Sequence, residues 1–177
     1  KMKKVLLKAP ILTQSGYGHH SRTVLRALRS REDLFDIYIQ PINWGQTSWL
    51  ADTDEERLWI DATITKTVEY AAAGGLFDAS LQISIPNEWE KLAPVNIGIT
   101  AGIETTKVSP KWIEKSYLMD KILTISEHSK WSYENTKVSA MNQQTGEQFT
   151  VSPKEDSIDY VSYPVRKFEP GEFDLDL

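Results

Sequence analysis

A glycine-containing segment at residues 13–20 (TQSGYGHH) has the composition of a ligand-binding loop, between an apolar run and a predicted helix. Gly16 and Gly18 let the backbone turn sharply and approach a ligand closely. The helix would add free N–H groups and the positive end of its dipole, which suit a diphosphate or a sugar hydroxyl. The alternative is a plain tight turn. Ser21 stands where a dinucleotide fingerprint has its third glycine, and the Gly-Lys-Ser/Thr of a P-loop is missing.

A second segment, residues 101–106 (AGIETT), follows another apolar run. Gly102 would give a ligand access to the backbone, and Thr105 offers a substrate-binding hydroxyl. Glu104 brings a carboxylate that could hydrogen-bond a sugar or act as a general base. The alternative is that Glu104 pairs with a nearby lysine or caps a turn.

Aromatic side chains also lie in or beside predicted loops, and the candidates for stacking on a sugar or a base are Trp44, Trp49, Trp89 and Tyr17. The alternative is that they cover the end of the sheet. His19, His20 and His128 have neither the spacing nor the acidic neighbours of a metal centre, so no metal site is expected.

Alternating strands and helices must position these segments. Strands are predicted at residues 4–9, 35–40, 76–85, 95–100, 121–125 and 158–163, helices at 20–29, 54–73, 110–119 and 127–135, and a hairpin insertion at 138–151. The strands are mostly continuous apolar runs, which favours an α/β fold with about six parallel strands covered by helices. We expect the strand order 3-2-1-4-5-6, which brings Gly16 and Gly102 together across the first and fourth strands, with ligands at the carboxyl ends.

Composition excludes several classes of function. The chain has 177 residues, which fits one domain, and its net charge of −5 gives no basic field for nucleic acid. The absence of cysteine excludes disulfides, thiolate zinc sites and a cysteine nucleophile, and it fits a cytoplasmic protein. No targeting signal is visible. The basic start at Lys3 and Lys4 could touch an anionic membrane surface, but a solvated first strand explains it as well.

The order of the segments resembles the N-terminal domain of GT-B type glycosyltransferases, in the retaining group that includes sucrose synthases and mannosyltransferases. The resemblance spans about residues 3–168 and is carried by 5–7 with 15–21 (VLL, SGYGHHS), 85–89 (IPNEW), 96–106 with 109–113 (NIGITAGIETT, SPKWI), 119–130 (MDKILTISEHSK) and 163–165 (YPV).

The resemblance implies two Rossmann-like domains that face a cleft. Residues 1–166 would form the acceptor-side domain, and residues 167–177 would be a linker or tail toward a C-terminal domain that binds the nucleotide sugar. The reaction would move a sugar from that donor to a hydroxyl of a carbohydrate or other acceptor. It would retain the anomeric configuration of the sugar and need no further cofactor or metal. The protein would chiefly stabilise the leaving diphosphate, with Gly16 and Gly18 contributing backbone N–H groups.

One departure from the family leaves the catalytic residue open. Many members carry a histidine near the position of Gly102. Glu104 would then replace part of the role of that histidine, or the chain would use His19 or His20. Glu104 and His19 are the catalytic candidates, and Ser15, Tyr17 and His20 of the first segment would bind substrate.

Two other readings compete with the enzyme. One is a stand-alone sugar- or nucleotide-binding module of the same fold without turnover. The other is a different doubly wound domain, of the response-regulator or flavodoxin kind. That kind of domain should carry a carboxylate cluster at the strand ends or a phosphate-binding Ser/Thr loop, and neither is evident.

We predict that the 177-residue chain alone neither hydrolyses nor transfers sugar from a nucleotide sugar. The lysine/arginine pair and the ribose-binding glutamate that the resemblance places in a second domain have no counterpart here. Nucleotide release from UDP- and GDP-sugars by the purified chain is the measurement. Release above the buffer rate would contradict the prediction.

Overall fold

The computed structural model describes residues 2–44 and 48–165. Gly45 of the predicted loop at 41–53 lies outside the described residues, and so does the predicted tail at 167–177. The predicted domain, residues 1–166, is therefore described except for residues 1, 45–47 and 166.

The elements alternate as the sequence predicts; the first two strands are each one residue longer than predicted, and the other four strands of the main sheet are shorter. The strands are β1 (Lys3–Ala9), β2 (Phe35–Pro41), β3 (Ala79–Ile83), β4 (Val95–Ile99), β5 (Lys121–Thr124), β6 (Val138–Met141), β7 (Gln148–Val151) and β8 (Ile158–Tyr160). The helices are α1 (Gly16–Arg29), α2 (Glu55–Ala72), α3 (Pro110–Ser116) and α4 (Glu127–Glu134), with a 3₁₀ turn at Pro86–Glu88.

The main sheet has six strands in the order β2-β1-β3-β4-β5-β8, and every neighbouring pair is parallel. The α/β class and the parallel sheet are confirmed. The expected order 3-2-1-4-5-6 is wrong, because β3 lies between β1 and β4 and not at the edge. The strand order therefore reverses between β1 and β3, and β1 and β4 are not neighbours.

Buried polar side chains explain the position of β3. The Ser80 hydroxyl donates to Asn96 Oδ1 at 2.8 Å, and Gln82 Nε2 donates to the Glu90 carbonyl at 2.6 Å. Ser80, Gln82 and Asn96 are all fully buried. A buried polar group without a partner costs about 1–3 kcal/mol, so these residues hold β3 beside β4.

Helix α1 begins four residues earlier than predicted. Ser15 is its N-cap and accepts a hydrogen bond from Gly18 N at 3.0 Å. Gly16 and Gly18 therefore lie in the first helical turn and not in a loop. The Arg22 guanidinium, only 9% exposed, donates to the carbonyls of Ile11 and Thr13 at 2.9 and 2.8 Å. A helical side chain thus fixes the loop that precedes its own helix.

Two apolar clusters form the core. One lies between the sheet and α1 and includes Leu7, Leu25 and Ile60. The other lies beneath α3 and α4 and centres on Trp89 and Tyr133, both fully buried. These clusters pack the helices against the sheet, and the packing fixes the positions of the loops that join strands to helices at the carboxyl edge.

The predicted hairpin insertion is confirmed. β6 and β7 pair antiparallel, from Val138 opposite Val151 to Met141 opposite Gln148, in a sheet separate from the main one. Gly146, with φ +72°, occupies the turn, where a side chain would be strained.

We predict opposite effects for two neighbouring glycines. A Cβ on Gly18 would lie 2.1 Å from the Thr13 carbonyl oxygen, whereas a Cβ on Gly16 would meet no atom within 4 Å. Gly18→Ala should therefore lower the free energy of unfolding by about 1–3 kcal/mol or more. Gly16→Ala is the matched control and should leave it unchanged or raise it by up to about 1 kcal/mol. Urea denaturation measures the free energy of unfolding of both variants. Equal effects would contradict the close packing of Gly18 against Thr13.

Candidate functional site

The Tyr17 hydroxyl joins two loops at the carboxyl edge of the sheet. It lies 3.1 Å from Thr100 Oγ1 and accepts a hydrogen bond from Ala101 N at 3.2 Å. Tyr17 belongs to the first turn of α1, and Thr100 directly follows β4. The first and fourth loops therefore meet although β3 separates their strands. The side chain of Tyr17 makes this connection.

Trp44 and Glu88 extend this contact. The ring centroids of Tyr17 and Trp44 are 5.3 Å apart at 84°, so the two rings form a corner. Trp44 Nε1 donates to both carboxylate oxygens of Glu88, at 3.1 and 3.3 Å. We name Tyr17, Trp44, Glu88 and Thr100 the edge cluster. Its members follow four different strands, β1 to β4.

Glu88 is the residue that sequence reasoning missed. It lies in the 3₁₀ turn after β3, within the IPNEW segment that the resemblance singled out without a role for the carboxylate. Lys8 fixes this turn from below: its Nζ donates to the Glu88 carbonyl at 3.3 Å and forms an ion pair with Glu90. That pairing lowers the pKa of Glu90 below its ordinary value. The Glu88 carboxylate itself forms no ion pair within residues 2–44 and 48–165.

Gly102 has a structural reason to be glycine. Its φ is +77°, and a Cβ would lie 2.6 Å from both Cβ and Oγ of Ser129 in α4. The Ser129 hydroxyl donates to the Ala101 carbonyl at 3.3 Å, which ties the loop after β4 to α4. The glycine lets the two elements touch, independently of any ligand.

Glu104 and Thr105 stand apart from the edge cluster. Glu104 is exposed and makes no hydrogen bond or ion pair with any residue that the structure describes. Thr105 is also exposed, and its hydroxyl donates to the Lys107 carbonyl at 3.0 Å. Nothing therefore holds the Glu104 carboxylate in a fixed direction, as a general base requires.

The remaining site candidates lie in and beside the first turn of α1, and they differ in their exposure to solvent. Gly16 and His19 are exposed, and the turn contains no acidic residue. The N–H groups of Gly16 and Tyr17 donate to no described residue, so the positive end of the helix dipole is open. Ser15 is occupied as the cap, and its hydroxyl lies 2.7 Å from Thr13 Oγ1. His20 is only 8% exposed and faces the sheet.

Within residues 2–44 and 48–165, no three histidine, aspartate or glutamate side chains are grouped so as to hold a metal ion. No helix in these ranges has the length and apolar character needed to cross a membrane.

The chain matches no model of a known protein family, and searches of curated proteins and of solved structures also find no match. The geometry of the edge cluster and of α1 therefore carries the functional argument.

We predict that Tyr17→Phe lowers the free energy of unfolding by about 1–2 kcal/mol, because Ala101 N loses its acceptor in a partly buried position. Tyr117→Phe is the control. Its hydroxyl donates to the Ser152 carbonyl at an exposed site, where water replaces the lost bond at little cost.

Urea denaturation gives both energies, and hydrogen exchange of the Ala101 amide reports the local effect. Unchanged exchange at Ala101 in Tyr17→Phe would show that the hydroxyl does not hold the loop.

Proposed function

We propose that this chain is the acceptor-side domain of a sugar-transferring enzyme of the GT-B type, and that its ligand binds at the edge cluster. The observation that carries the proposal is the Tyr17 contact, which brings an open helix N-terminus and the loop after β4 together at one edge. Trp44 and Glu88 lie directly beside it. Open parallel sheets bind their ligands at this edge.

The edge cluster suits a hydroxylated ring. The corner between Tyr17 and Trp44 offers aromatic surface to the apolar C–H side of a sugar. Each oxygen of Glu88 accepts one bond from the indole and keeps a lone pair that can accept from a sugar hydroxyl. A carboxylate without a cationic partner binds hydroxyl groups and repels phosphate, so this part of the edge suits the acceptor sugar.

The N-terminus of α1 suits an anionic oxygen. The free N–H groups of Gly16 and Tyr17 point out of the helix, no acidic residue lies in the first turn, and the space at Gly16 is open. A diphosphate approaching from a donor domain would meet these groups. His19, exposed in the same turn, is the nearest candidate for proton transfer.

A binding module without turnover is the second candidate, and the state of Glu104 favours it. The binding groups Tyr17, Trp44 and Glu88 are held by neighbours. Glu104 is exposed and has no partner among the described residues. A domain of this kind binds ligand without needing a fixed base. Turnover in the presence of a donor domain separates the two functions.

We predict weak, separable binding of two probes. Maltose should shift the NMR signals of the Trp44 indole N–H and of the Thr100 amide, and UDP should shift the amides of Gly16 and Tyr17, each with Kd on the order of 1 mM. Trp44→Ala should abolish maltose binding, followed at the Thr100 amide because the indole signal is lost with the side chain. Gly16→Val should weaken UDP binding about tenfold, because the branched side chain covers the N–H groups.

Ala62→Val is the matched control, since Ala62 is exposed in α2 far from the edge cluster in the chain. It should change neither binding constant. The proposal fails if both probes bind equally well to Gly16→Val and Trp44→Ala, or if their shifts map away from the carboxyl edge.

A further inference from the structure

An apolar groove of about 250 Å³ lies between α1 and the main sheet. Its walls include His20, Val24 and Leu28 from α1 and Leu81, Ile99 and Leu123 from the strands. Val161, which follows β8, also lines the groove. Among the described residues that line the groove, His20 is the one titratable side chain.

The surroundings of His20 disfavour its protonated, positively charged form. His20 is 8% exposed, and its Nδ1 is buried without a hydrogen-bond partner among the described residues. His19, the titratable neighbour on its own helix, would further disfavour a positive charge on the ring. From β5 it faces Thr124, and none of the described residues that line the groove is a carboxylate. A protonated imidazole would therefore have no acceptor for its buried N–H.

Tyr163 covers His20. The two ring centroids are 4.7 Å apart at 70°, an edge contact. Tyr163 belongs to residues 161–165, which we name the strap. One hydrogen bond, from Val161 N to the Thr124 carbonyl at 2.8 Å, ties the beginning of the strap to the sheet. Beyond Val161 the strap backbone makes no such bond with a described residue, and the ring contact between Tyr163 and His20 joins this part of the strap to α1.

We propose that His20 and Tyr163 form a pH-sensitive latch. Neutral His20 holds the strap against α1, and protonated His20 releases it. Val161 of the strap lines the groove together with His20, so release of the strap uncovers the groove.

The direction of the pH dependence follows from the burial. Burial lowers the pKa of His20 below its ordinary value of 6.5, and His19 adds to the effect. The open state, with an ordinary pKa, binds the proton more tightly than the latched state. The latch is therefore fully stabilised above pH of about 6.5 and loses stability as pH falls below that value, through the lowered pKa.

The absence of cysteine allows a direct test, because an introduced cysteine carries a spin label at a unique position. Val165→Cys places the label at the end of the strap, where the native side chain is 90% exposed. We expect a slowly moving label at pH 8 and a mobile one at pH 5. The midpoint should coincide with the titration of His20, followed by NMR in the same variant.

Three further changes are made in the labelled chain. His20→Phe keeps a ring but cannot be protonated, so its label should stay slow at both pH values. Tyr163→Ala should give a mobile label at both. His19→Gln is the control and should keep the transition. If His20→Phe does not fold, Tyr163→Ala still tests the latch, because uncovering His20 should move its titration toward the ordinary pKa.

A transition that persists in His20→Phe would overturn the latch, and so would a His20 that titrates while the label stays slow. No ligand enters this test, so its outcome is independent of the proposed function. Only the effect of release on ligand affinity rests on the proposed function. It is measured separately as UDP binding at pH 8 and pH 5.

Discussion

The close packing of the first two turns of α1 against the loop that follows β1 is the constraint on which the edge of this domain depends. Gly18 has no room for a Cβ beside Thr13, and the buried guanidinium of Arg22 holds the same loop through two carbonyls. This packing fixes the rotation of α1 about its axis. Tyr17 then reaches across the edge to Thr100, and His20 turns inward to the groove. One contact between helix and loop thus sets both the candidate site and the latch.

The sheet supports this arrangement through polar groups as well as apolar ones. Ser80, Gln82 and Asn96 are buried and bonded, so β3 cannot exchange places with an edge strand without leaving them unsatisfied. Because β3 lies at the centre, the turn that follows it carries Glu88 into the middle of the carboxyl edge. The acidic member of the edge cluster is therefore a consequence of strand order.

Much of the fold was predictable, since apolar runs, caps and turn residues act locally. Ser126 and Ser109 are residues of the type that caps helices and do cap theirs, and Gly146 turns the hairpin. Strand order was not predictable from alternation, because right-handed crossovers allow both orders. The start of α1 was misplaced because Gly16 and Gly18 are poor helix formers, and tertiary packing at Gly18 outweighs that preference.

The candidate site was predicted only in part, for a related reason. Tyr17 and Trp44 were identified from their loop positions, but their partner Glu88 is visible only once β3 lies between β1 and β4. Glu104 drew attention by its chemistry, yet its exposed position gives it no fixed direction. A carboxylate gains a role from the groups that hold it as much as from its own acidity. The Glu88 carboxylate accepts a hydrogen bond from the indole of Trp44, whose ring contacts Tyr17. By that criterion Glu88 is better placed than Glu104 to bind the proposed acceptor sugar.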